Sequence, residues 1–152
     1  TAEALAGRAR CPVAIVRQPP LGPAGEGGCV VAIVEDIAGS SVVLDLAVGE
    51  ALLRHAPLRV VTVRPGRDVH AAGRLDRCLA QWRHRHPGLD IDAEVVRGRI
   101  LDYLTRLAPH TRVVVVGPQD RDAHSELFSA NGYAVLGDSR CTLLIAHGNR
   151  AL

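Results

Sequence analysis

The stretch VVVVGPQDRDAHSELFSAN, residues 113 to 131, holds the chain's densest set of groups with chemistry to offer. Four valines end at Gly117, and the chain then turns polar. In a parallel α/β sheet, a strand that ends in glycine can hand over to a loop that cradles phosphate, because no Cβ stands between the backbone amides and the anion. Asp120, Arg121 and Asp122 follow, then His124 and Ser125. Ser, His and Asp are the residue types of a hydrolase triad. No Gly-x-Ser-x-Gly elbow holds them, however, and three residue types within one loop fix no geometry. No catalytic residue is read from this stretch.

Other reactive types are scattered. His84 and His86 stand two apart in a helical pattern, so they face different sides and cannot grip one metal together. They read as a solvated helix end, where cationic side chains suit the helix dipole. Asp90 and Asp92 flank Ile91 and read as solvated residues at a strand entry. Cys11, Cys29, Cys78 and Cys141 form no Cys-x-x-Cys pair, which argues against zinc and thioredoxin chemistry. Three of them lie in or beside apolar runs and read as small buried hydrophobes in a reducing cytosol. Trp82 falls in a helical stripe and reads as packing rather than as a platform for a base. No metal ligand set is expected.

The elements that must position these groups alternate. Strand-like runs occupy 29–34 (CVVAIV), 58–63 (LRVVTV), 92–97 (DAEVVR), 112–117 (RVVVVG) and 141–146 (CTLLIA). They are short, β-branched and largely apolar, as strands covered on both faces should be. Helical patterns separate them at 39–55, 70–86, 99–110 and 125–138. The first opens on Ser40 and Ser41 as candidate N-caps and puts Val43, Leu46 and Ala47 on one face. The second places Leu75, Cys78, Leu79 and Trp82 at i, i+3, i+4 and i+7 and stops at Pro87-Gly88. The third turns Ile100, Leu101, Leu104 and Leu107 inward, and the fourth is interrupted by Gly132. This alternation predicts an α/β fold, a doubly wound sheet with right-handed crossovers. Ligands of such sheets sit at the carboxyl ends of the strands, where Gly117 lies.

The two ends of the chain resemble each other. ALAGRARCPVAIV (4–16) matches AVLGDSRCTLLIA (134–146) at a constant offset, with Ala4, Gly7, Arg10 and Cys11 against Ala134, Gly137, Arg140 and Cys141. Residues 1–17 therefore read as the last helix and strand of a preceding copy of the same domain. Residues 18–28 (QPPLGPAGEGG) read as a linker, and 29–147 as the domain itself. The strand-like run CPVAIVR (11–17) is expected to pair antiparallel with 141–146, within the chain or with a neighbour, because an open sheet edge must be paired or protected.

Composition bounds the rest. The chain has 152 residues, 47% hydrophobic and 3% aromatic, which suits one α/β domain with an aliphatic core. All 18 basic residues are arginine, scattered among 16 acids for a net charge of +2. No long basic run or aromatic-interleaved basic face appears, so nucleic acid is not expected as a partner. No apolar run approaches the ~20 residues of a membrane span, and the N-terminus lacks the order of a signal peptide. A cytoplasmic setting is the expectation.

Over 29–146 the sequence resembles a universal stress protein domain. The likeness is carried by CVVAIVED, ALLRHAPLRVVTVRP (51–65), LAQWRHRHPGLDIDAEVVRGR (79–99), RVVVVG and Cys141 opening the last strand. The phrases Ala-Pro-Leu-Arg-Val-Val and Glu-Val-Val-Arg-Gly are especially similar to actinobacterial members, which often carry two domains in one chain. The resemblance implies a five-stranded parallel sheet in the order 3-2-1-4-5 with helices on both faces, here with an extra N-terminal edge strand. It also implies domains paired through their fifth strands, antiparallel. Some members bind ATP through Gly-x2-Gly-x9-Gly-Ser/Thr after strand four, with an Asp at the end of strand one facing the adenosine.

Set on that pattern, Gly117 takes the first glycine and Asp120 stands at the second. Ala130 replaces the third, Asn131 the Ser/Thr, and Glu35 the Asp, or Asp36 on a one-residue shift. Asp120 would repel a phosphate, with Asp122 beside it and Arg121 partly offsetting both. The cofactor positions Glu35, Gly117, Asp120, Arg121, Ala130 and Asn131 thus read as a vestigial nucleotide site. At the same offset Thr1 matches Asn131, so a nucleotide site in the preceding copy is a further expectation. The expected function is a non-enzymatic association module that takes no cofactor, with an ATP- or AMP-binding domain as the alternative. A nucleotidyl transferase would want a His motif near strand one, and EDIAGSS has none. The expected partners are a second copy or a preceding domain, meeting at 141–146 and 11–17.

Overall fold

A computed structural model gives the architecture and describes residues 2–16, 28–63, 69–107, 110–138 and 140–148. Twelve elements appear among them: α1 (Ala2–Arg8), β1 (Val13–Ile15), β2 (Cys29–Ile33), α2 (Ser41–Arg54), β3 (Leu58–Val63), α3 (Ala71–Arg85), β4 (Ile91–Val96), α4 (Ile100–Leu107), β5 (Thr111–Val116), α5 (Arg121–Leu127), α6 (Ala130–Asp138) and β6 (Thr142–Ile145). The linker read at 18–28 falls, apart from Gly28, outside the described residues, as do Thr1 and Arg17.

One six-stranded sheet runs β1-β6-β5-β2-β3-β4. Numbered from β2, its five parallel strands follow the expected order 3-2-1-4-5, and β1 is the extra edge strand. Alternation along each strand divides the core in two. Val30, Ala32, Val60, Val113 and Val115 face α2 and α3, with Leu44, Leu75 and Leu79. Val31, Ile33, Val61, Val114 and Val116 face the other helices, with Ala6, Leu104, Leu127 and Leu136. Apolar side chains on both faces are what a run such as RVVVVG requires.

β4 departs from that pattern. It is an edge strand, and Asp92 and Glu94 are exposed along it, so it is not covered on both faces as its sequence run implied. Tyr103 of α4 donates to Glu94 Oε2 at 2.8 Å and is itself buried.

The single helix expected over 125–138 is instead two. α5 begins four residues earlier, and the chain turns at 128–129. Ser129 caps α6: its Oγ accepts the Gly132 amide at 3.1 Å and donates to the Glu126 carbonyl at 2.6 Å. Gly132 is buried where α6 crosses α5, and a Cβ there would run into the carbonyls of Glu126 and Leu127. It permits the crossing rather than interrupting one helix. Ser40 does sit at the start of α2, but its hydroxyl turns back to the Ile37 carbonyl at 2.7 Å and caps nothing.

β1 pairs antiparallel with β6 inside the chain: Val13 opposite Ile145, Ala14 opposite Leu144, Ile15 opposite Leu143. His147, just past β6, bonds through Nε2 to the Ala6 carbonyl at 2.6 Å and so ties α1 down. Of the cysteines, Cys141 is buried and Cys29 and Cys78 partly so, but Cys11 is exposed at the bend before β1, against the expectation of buried hydrophobes. Burial pushes the Cys141 thiol up to about 12, which keeps it protonated and unreactive.

Candidate functional site

The carboxyl ends of β2, β5 and β6 open into a cleft of about 1090 Å³. Its floor and one wall are Val34, Glu35 and Asp36 after β2, Gly39, Ser40, Val42 and Val43 at the start of α2, and 117–120 after β5. Ala146, His147 and Gly148 after β6 close the far side, together with Ala9 and Arg10 from the bend between α1 and β1. The cleft lies where the doubly wound sheet reverses direction.

Two carboxylates hold backbone amides here. Asp120 Oδ2 accepts the Gly117 N–H at 2.8 Å. Glu35 Oε1 reaches across from the end of β2 and accepts the Ala123 N–H in the first turn of α5 at 2.6 Å. These are short, charge-assisted bonds. His124 Nε2 lies 2.7 Å from the Gly117 carbonyl, with its ring against Phe128, so the imidazole braces the loop and is not joined to Ser125.

Of the six cofactor positions read from sequence, Glu35, Gly117 and Asp120 line the cleft. Arg121, Ala130 and Asn131 do not; they lie exposed at the starts of α5 and α6. Sequence reasoning missed Arg10 and His147. The offset repeat pointed to the segment that carries Arg10, but nothing local says that this bend returns to the strand ends. Among the described residues no three His, Cys, Asp or Glu side chains converge as a metal site would require.

Burial raises the carboxyls of both Glu35 and Asp120. For Glu35 the Ala123 amide opposes the rise, and the nearby Asp120 and Asp122 add to it. For Asp120 the amides of Gly117 and Glu35 and the charge of His124 oppose it. The folded chain therefore holds these protons more tightly than the unfolded chain. The stability this gives is present below the ordinary carboxylate range and is lost as pH rises through the folded value. Asp120→Asn cannot ionise but keeps an acceptor for the Gly117 amide. Its stability relative to wild type should rise from about pH 4 to pH 7. Urea unfolding across that range measures this, and a difference that stayed constant with pH would contradict the buried-carboxylate account.

A parallel α/β sheet with a strand-end cleft and a glycine-led loop defines a nucleotide-fold domain of the Rossmann-like class. No family model matches the chain. A universal stress protein of Mycobacterium tuberculosis is 42% identical over 154 residues, covering 95% of this chain and 53% of the relative. A solved universal stress protein from Archaeoglobus fulgidus superposes with a TM-score of 0.64 at 12% identity, covering 99% of this chain and 55% of that one. Another, solved in complex with cAMP, has a TM-score of 0.55 at 25% identity over 80% of this chain and 97% of that one. The chain belongs to the universal stress protein family, and it spans about half the length of the curated relatives it matches.

Proposed function

We propose that this is a universal stress protein domain that takes up no ATP and works as a non-enzymatic module, by association along the β1–β6 edge. The observation that carries this is the use of the chain's own carboxylates as anions. Gly117 N–H and Ala123 N–H are the donors a phosphate would seek at this strand end, and Asp120 and Glu35 already hold them. A triphosphate would have to displace two internal acceptors while bringing its own negative charge beside them. The match between 4–16 and 134–146 supports reading the partner as a preceding copy of the domain, with β1 as that copy's last strand.

The second reading is an adenine-nucleotide-binding domain with an altered phosphate loop. It is favoured by the open cleft at the same strand ends and by the cAMP complex of the relative at 25% identity. Isothermal titration of Mg-ATP into the chain and into Asp120→Gly/Ala130→Gly/Asn131→Ser separates the two. The first reading expects no heat of binding from the native chain and measurable binding by the variant. Micromolar binding by the native chain would overturn it and leave nucleotide sensing as the function.

A further inference from the structure

The pairing of β1 with β6 has a local two-fold centre at Ala14 and Leu144. Val13 faces Ile145 and Ile15 faces Leu143, while the sequence repeat matches Val13 with Leu143 and Ile15 with Ile145. Each residue thus faces the counterpart of its mirror neighbour, as two copies of one strand do about a two-fold axis. The helices obey the same axis. Ala6 of α1 and Leu136 of α6 are matched by the repeat, and both are buried on the same face of the sheet.

That symmetry gives Arg10 a meaning. Because β1 runs against β6, the residues leading into β1, Arg10 among them, arrive at the far end of β6, where the cleft lies. Arg10 lines the cleft and carries no ion pair or hydrogen bond among the described residues. The opposite wall is acidic, with Glu35, Asp36 and Asp120. His147, bonded to Ala6 beside it, fixes the approach of this segment. The repeat matches Arg10 with Arg140, two residues before β6, exposed and held at a positive φ of 56°.

We propose that Arg10 is the anion contact of this domain's cleft, supplied across the seam by the preceding repeat, and that Arg140 enters that repeat's cleft in return. The ligand class is a small molecule with one compact anionic group for the guanidinium and hydrogen-bond donors for the acidic wall, the chemistry of a phosphate monoester. The anion sits at the β6 corner, away from the self-capped loop, so occupancy of the cleft depends on docking of the seam. The reciprocal half rests on the reading of residues 2–16 as the end of a preceding copy; the Arg10 half does not.

The test is an amide chemical-shift titration of the whole chain with inorganic phosphate, beside Arg10→Ala and Arg140→Ala. Millimolar phosphate should shift Gly39, Ser40 and Gly148 in the native chain. Arg10→Ala should weaken that binding about tenfold, the weight of one charge-assisted hydrogen bond. Arg140→Ala should leave it unchanged, because the cleft it serves belongs to the other repeat. No shift in the native chain, or equal losses in both variants, overturns the proposal. In a chain that carries a copy of the domain ahead of α1, Arg140→Ala should weaken phosphate binding at that copy's cleft. Failure of that arm alone removes the exchange and leaves Arg10. Tight Mg-ATP binding by the native chain would sink the proposed function without touching either arginine.

Discussion

Gly132→Ala should destabilise the fold by about 3 kcal/mol, the upper part of the range for forcing one methyl into a packed interior. The glycine is buried, and its missing Cβ points at the carbonyls of Glu126 and Leu127, which are backbone and cannot rotate away. To admit a methyl group, α6 must lift from α5. That costs the Ser129 cap and the seating of Leu136, which is buried against the sheet face that carries Val31 and Val114. Urea unfolding reads the loss directly. Gly49→Ala in α2 is the control, since a Cβ there meets nothing within 4 Å. That exchange should instead gain up to about 1 kcal/mol of helix propensity. Comparable stability in the two variants would mean the α5–α6 crossing is looser than described.

The second large effect concerns the sheet edge. Val13→Asp/Ile15→Asp should strip β1 from β6 and convert the chain into a dimer. Both side chains are partly buried and pack against the core cluster of Ala6, Val114 and Leu136, and a carboxylate there has no partner to offset its burial. With β1 released, β6 presents unpaired amides and carbonyls, and Leu143, Leu144 and Ile145 become accessible. A second copy then offers the best match, because the β1–β6 register already obeys a two-fold axis and a β6–β6 pairing needs the same one, with Leu144 opposite Leu144. Sedimentation velocity over a concentration series should show a shift from one to two chains. Hydrogen exchange should show lost protection at 13–15 and retained protection at 142–145. A double variant that remains a single chain, with β6 exchanging fast, would show that the edge tolerates exposure.

How far these features could be read in advance depended on how local they are. Val113–Val116 and the Leu75–Leu79 stripe of α3 declare strand and helix within their own windows, because burial on two faces and on one face leave different periods. The strand order is not in any window; it came from the family likeness. The boundary at 128–129 was missed because Ser129 and Gly132 act together. A serine cap and a glycine at a crossing look, one at a time, like a polar residue and a flaw in one helix. The site was legible as positions and not as bonds. Asp120 taking the Gly117 amide is a contact across three residues and follows from a tight turn. Glu35 reaching Ala123 spans 88 residues and His147 reaching Ala6 spans 141, so both exist only once the sheet has assembled.

The two ends of the sheet are finished differently, and the difference sets the stoichiometry of anything built on it. At the β4 end, Asp92 and Glu94 stand exposed at alternate positions of the last strand, so a second copy of that strand laid there would bring carboxylates together. At the β6 end the edge complements itself, and β1 already fills it. An object with one repellent end and one self-matching end has a single way to grow, and the first addition uses it up. On the proposed association, the self-matching β6 edge is used once, here by β1, and the β4 end offers a further strand only its carboxylates.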